Sequence, residues 1–140
     1  MAFWLFKSEP HVFSWADQVA LGDAGGPWDG VRNHAARNHM RAMTVGDRGF
    51  FYHSGAQPAV VGLVEVVAPA APDPTAPPDS GWDCVSLRAL APLPRPVSLR
   101  SIKAEPALAE MVLVRNSRLS VQPVRPEEWE RVCAMGGLAP

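Results

Sequence analysis

Cysteine is scarce in this chain: Cys84 and Cys133 stand alone in apolar surroundings and form no CxxC spacing. That leaves neither a disulfide framework nor a zinc cradle, and it reads as two buried, reduced thiols in a cytoplasmic protein. Long hydrophobic runs are missing as well. Nothing approaches the ~20 apolar residues that a membrane crossing needs, so no membrane partner is expected. The opening MAFWLFKSEP lacks a basic leader region and meets Lys7, Ser8 and Glu9 before an apolar leader core can form. Excess charge is also absent. A formal net charge of -1 excludes wholesale electrostatic capture of a polyanion, so any such contact must come from a local patch. No Walker or dinucleotide-type glycine signature, HxH or HExxH occurs, and His34 and His39 do not share one helix face. No cofactor and no metal are expected.

What is present suits one domain over 1–140. With 47% apolar and 19% charged residues, the chain can bury a single core. Arginine far outnumbers lysine, and alanine and proline are abundant, a bias that fits a GC-rich bacterial genome. Phe3 to Ser8 reads as a buried strand bounded by Pro10. Ser14 with Asp17 three residues later marks a short helix, and the loop GDAGGPWDG follows. From Val31 to Met43 the pattern is helical, with Ala36, Met40 and Met43 on one stripe and His34, Arg37, Asn38 and Arg41 roughly opposite. Strands are expected over Gly49–His53, Ala59–Ala68 (where Gly62 suggests a bulge or close approach) and Trp82–Leu90. Pro69 to Gly81 reads as a stiff loop, and Pro92, Pro94 and Pro96 as the exit from the last of those strands. Short helical turns follow at 98–103 and 106–111. Pro123 confines SVQPV to an edge strand, and Pro126 opens a final helix that Gly136 ends. About five short strands without a βαβ rhythm indicate a small mixed or barrel-like α+β domain.

The richest stretch is Trp28 to Ser54 (WDGVRNHAARNHMRAMTVGDRGFFYHS), which gathers rings, amides, imidazoles and guanidinium groups. Trp28, in a glycine-rich loop, and Tyr52, the only tyrosine, are candidates for stacking on a flat ring. Each is equally a candidate for the core. Asn33 can read a polar edge or cap the following helix. Lys7 can meet phosphate or point to solvent. The His34, Arg37 and Arg41 face suits a phosphate backbone or is simply a solvated face. A second basic group comprises Arg115, Arg118 and Arg125. Asp47, His53 and Ser54 have the residue types of a hydrolytic triad, but adjacent residues of a strand project to opposite faces.

The strings FWLFKSEP, WDGVRN, ARN, MR, GD before FFYHS, APDPT and MVLVRNSRLSVQPV with Glu128-Trp129 resemble the EVE domain family, in the family's order and over essentially the whole chain. The resemblance implies a PUA-like fold, a small curved β-barrel of about five to six strands with inserted short helices, related to the YTH readers of methylated adenine. It implies a pocket for a modified base in DNA or RNA and no catalytic chemistry. By position it points to Lys7, Ser8, Trp28 and Asn33, with Tyr52, His53, Ser54, Pro72 and Asp73 completing the rim. Arg32, Arg37, Arg118 and Ser120 fall in matching motifs, and Arg32, Arg37, Arg41 and Arg118 are expected to hold phosphates. Two departures stand out: His34-Ala35 replaces an aromatic and an amide, and Ala71 replaces an aromatic before Pro72. They imply a roomier or weaker pocket.

The expected function is therefore a non-catalytic module that accommodates a modified nucleobase. Two alternatives stay open: a small hydrolase or transferase acting on a nucleotide or modified nucleoside through His53 with Asp73 or Asp47, and a binding module for a small metabolite or protein partner.

Overall fold

The computed structural model describes residues 1–138. Its elements run β1 (Phe3–Ser8), α1 (Trp15–Ala20), β2 (Gly26–Pro27), α2 (His34–Arg41), β3 (Arg48–His53) and β4 (Ala59–Pro72). They continue with β5 (Asp83–Ser98), α3 (Leu99–Ala104), a 3-10 turn at Pro106–Leu108, α4 (Val112–Arg115), β6 (Val121–Val124) and α5 (Pro126–Met135). The strands form one mixed six-stranded sheet in the order β2-β5-β4-β3-β1-β6, in which only β1 and β3 pair in parallel. The α+β expectation holds. Strand pairing does not close the sheet into a barrel, because β2 and β6 end it on opposite sides.

Alternation along the central strands divides the core in two. Trp4 and Phe6 of β1 and Phe51 of β3 enter one apolar cluster, which α2 covers with Ala36 and Met40. Leu5, Phe50 and Tyr52 enter the other, where Trp129 and Val132 of α5 complete the packing. Trp28 and Val31 belong to the first cluster, and Phe13 packs against it.

Local signals place the helices. The Ser14–Asp17 capping box starts α1, whose Gln18 Nε2 donates to the Leu87 carbonyl of β5 at 2.9 Å. The Trp15 ring lies against the backbone of Gly62, where an added Cβ would fall 2.5 Å from it. The register of β4 also shifts there, so the close approach and the bulge coincide. The α2 helix begins at His34 rather than Val31, because Asn33 is its cap and accepts from the Ala36 N–H at 2.9 Å.

Three strand expectations need correction. β4 continues through Pro69 to Pro72, and β5 continues through Pro92, Pro94 and Pro96 to Ser98. Successive residues turn their N–H groups to opposite edges, so the β5 prolines, spaced by two, withdraw donors from one edge only. β2 covers β5 opposite Ser86 and Leu87 alone, which leaves that edge without strand partners farther along. The Gly26–Pro27 segment, expected as loop, is itself a short strand. Its neighbour Gly25 adopts φ +68, and a Cβ there would meet the Leu87 carbonyl oxygen at 2.2 Å. Among the described residues, no helix is long and apolar enough to cross a membrane.

Candidate functional site

A cleft of about 590 Å³ opens where β1 ends and the chain between β2 and α2 crosses it. One wall is Lys7, Ser8 and Glu9, continued by Val12 and Phe13 of the turn before α1. The other is the run from Pro27 to Arg32, and Leu21 and Ser120 complete the lining. The volume falls within the range of small-molecule sites, about 300–1,000 Å³.

Trp28 is both wall and core. Only 7% of it is exposed, and Phe6, Phe13 and Phe51 meet its ring edge-on with centroids 5.5, 5.9 and 5.5 Å away. Its backbone N–H donates to Val85 at 2.8 Å, continuing the β2–β5 pairing. The alternatives of pocket ring and core ring are thus the same ring seen from two sides.

Asp73 fixes this wall from behind. Its Oδ2 accepts from the Gly30 N–H at 2.9 Å and from Arg32 Nη1 at 3.1 Å, while Oδ1 accepts from the N–H and hydroxyl of Thr75. Burial pushes its pKa up, but the Thr75, Gly30 and Arg32 bonds outweigh burial and hold it at about 2. Asp73 does not line the cleft; it clamps two residues that do.

Arginines gather around the neighbouring loop. Arg32 bonds Asp73 and Thr75, Arg41 pairs with Asp83 at 2.7 Å, and Arg37 donates to the Asn38 side chain and the Gly81 carbonyl. Trp82 sits among them. His34 stacks on it at 4.8 Å, and the Arg37 and Arg32 guanidinium groups lie 5.5 and 5.7 Å from its ring. At the far end Lys7 Nζ donates to the Ser117 carbonyl at 2.7 Å, which ties β1 to the loop carrying Arg118. Burial pulls the Lys7 pKa down.

The residues expected at the site therefore separate. Lys7, Ser8, Trp28 and Arg32 meet in the cleft, with Asp73 behind it. Tyr52 does not join Trp28, because its place in β3 puts it in the opposite cluster. It corrects the idea of two stacking rings facing one ligand. His53 is not a cleft residue either. Its Nε2 accepts from the Trp15 N–H at 3.0 Å, and burial lowers its pKa, so it serves α1 as a neutral acceptor. Ser54 donates its N–H to the Ser8 carbonyl, extending the β1–β3 pairing, and Pro72 is the exposed last residue of β4. Asn33 caps α2 through its Oδ1 and lies outside the cleft lining. Arg41 is neutralised by Asp83, and Arg37, Arg41 and Arg118 lie outside the cleft lining. Asp47 accepts from Ala2, Trp4 and Thr44 and anchors the chain start, far from any role with His53 or Ser54. Both cysteine thiols are pushed up to about 11, by burial first and, for Cys84, by the nearby Asp73, Asp29 and Asp83 carboxylates.

Sequence reading passed over Asp29, Phe13, Gly30 and the stacked Trp82. Contiguity was the available signal for the first and third, since neighbours of a loop tryptophan share its wall when strand alternation does not separate them.

The EVE domain profile matches residues 2–135. Thymocyte nuclear protein 1 of Mus musculus is 35% identical over 95% of this chain and 73% of its own length. A crystal structure of a protein from Agrobacterium tumefaciens superposes with TM-score 0.97 at 56% identity, covering 99% of this chain and 95% of that one. Human THYN1, in complex with 5-methylcytosine-containing DNA, superposes with TM-score 0.89 at 33% identity over the full length of both chains. The YTH domain of Zygosaccharomyces rouxii MRB1, at TM-score 0.60 and 16% identity over 99% of this chain and 88% of its own, shares the fold.

Proposed function

From the premise that this chain belongs to the EVE domain family, we propose that it is a non-catalytic nucleic-acid-binding module that takes a modified nucleobase into the cleft beside Trp28. The observation that carries the reading is the rigidity of that cleft. A wall ring held edge-on by three aromatics, and a backbone clamped by Asp73, cost little further ordering when a flat ring enters. Base–aromatic contact contributes about 1–3 kcal/mol per base. The complex of human THYN1 with 5-methylcytosine DNA supports a methylated cytosine as the first ligand to try. The YTH likeness supports a PUA-like description of the sheet.

Chemistry on the ligand is disfavoured by how the reactive groups are engaged. The His53 ring nitrogen and both Asp73 oxygens are occupied within the chain, and the thiols are held protonated. Phosphate contacts fall to cations without a carboxylate partner: Arg37, Arg118 and Lys7. They are few, in keeping with a net charge of -1, so the base must supply much of the affinity.

Fluorescence-polarisation titrations with oligonucleotides differing only in 5-methylcytosine or cytosine test the proposal. Wild type is expected to prefer the modified probe, and Ser8→Phe, which fills the cleft mouth, to lose that preference while keeping its melting temperature. Equal binding of both probes by wild type would contradict it.

A further inference from the structure

Counting the polar groups of the cleft shows what it asks of a ligand. The Trp28 and Gly30 backbone N–H groups are spent on Val85 and Asp73, and Lys7 Nζ gives one of its three donors to Ser117, leaving the rest for phosphate. Arg32 is spent on Asp73 and Thr75, and Glu9 lies 3.2 Å from His11. Among the described side chains lining the cleft, the groups left over are the Asp29 carboxyl, which has no hydrogen-bond or ion-pair partner, the Trp28 indole N–H, and the Ser120 and weakly bonded Ser8 hydroxyls. Asp29 directly follows the Trp28 ring in the same wall.

We infer that the Asp29 carboxyl reads the amino edge of the inserted ring and selects cytosine- or adenine-type bases over uracil- or thymine-type ones. This rests on the base-cleft reading. Cytosine and adenine present an exocyclic amine beside a ring nitrogen. The amine donates to a carboxyl oxygen, as acidic side chains do when they accept from cytosine N4. A thymine edge places carbonyl oxygens on both sides of its single N–H, so carboxylate oxygens would face lone pairs. Burial pushes the Asp29 pKa up, the Asp73 charge adds to this, and Arg32 pulls it back. In either protonation state a carboxyl oxygen remains an acceptor for the amine. The other charged groups lining the cleft are Lys7 and Glu9 on the facing wall.

Single-stranded probes identical except for one 5-methylcytosine or one thymine isolate this edge, because the two bases share the methyl group and differ at the amine. Wild type is expected to bind the 5-methylcytosine probe about tenfold or more tightly than the thymine probe. Asp29→Asn, which can donate to a carbonyl, is expected to bring the ratio to about one or invert it. Its thermal unfolding should match wild type, since Asp29 bonds nothing in the chain. An unchanged ratio in a folded Asp29→Asn protein would overturn the inference while leaving the cleft reading standing. Wild type that binds neither probe would overturn both.

Discussion

Asp73 carries more of the site than any residue in it. It gives no surface to the cleft, yet Gly30 and Arg32 are placed by its Oδ2. Its pKa is depressed from 3.8 to about 2. A carboxylate depressed on folding stabilises fully above its unfolded pKa, and that stability disappears as pH falls through the folded value. The shift corresponds to roughly 2 kcal/mol, present at pH 5 and above and eroded between about pH 4 and pH 2. Urea denaturation of wild type and Asp73→Asn at pH 6 and pH 3 measures it. Wild type should lose more stability than the variant on acidification; parallel losses would mean the hydrogen bonds contribute nothing selective to the charged form. At this scale the sequence disclosed Lys7, Ser8 and Trp28 as cleft residues. It did not disclose the fate of the arginines. Arg32 and Arg41 find their carboxylates at Asp73 and Asp83, some forty residues onward, where no spacing rule reaches.

Elements set by local chemistry were legible, and elements set by their neighbours were not. The Ser14–Asp17 box, the Ala36–Met40 stripe and Pro126 with Gly136 each specify a helix within a few residues. Pro123 correctly placed β6 at an edge. The prolines of β4 and β5 misled because tolerance depends on which edge is paired, a property of the assembled sheet. Alternation separates Phe51 from Tyr52, but only the assembled sheet shows which face carries the cleft. Gly62 is the element-scale contact most open to test, since the Trp15 ring at the start of α1 fills its missing side chain. Gly62→Ala should push α1 off β4 and destabilise the fold by about 1–3 kcal/mol. The midpoint of chemical denaturation reads this, and an unchanged midpoint would show that α1 is not seated on β4 as described.

The whole molecule divides its labour across one sheet. The face with Leu5, Phe50 and Tyr52 packs against α5, and the face with Trp4, Phe6 and Phe51 supports the cleft. That division makes the central claim a matter of location. Backbone amide shift mapping of the labelled protein, titrated with a short oligonucleotide carrying one 5-methylcytosine, tests it most directly. The perturbations expected on binding the modified probe, and absent with its unmodified twin, centre on Ser8, Trp28, Asp29, Gly30 and Ser120, with Tyr52 and α5 unmoved. Perturbations centred instead on the α5 face, or the same pattern from both probes, would contradict the account.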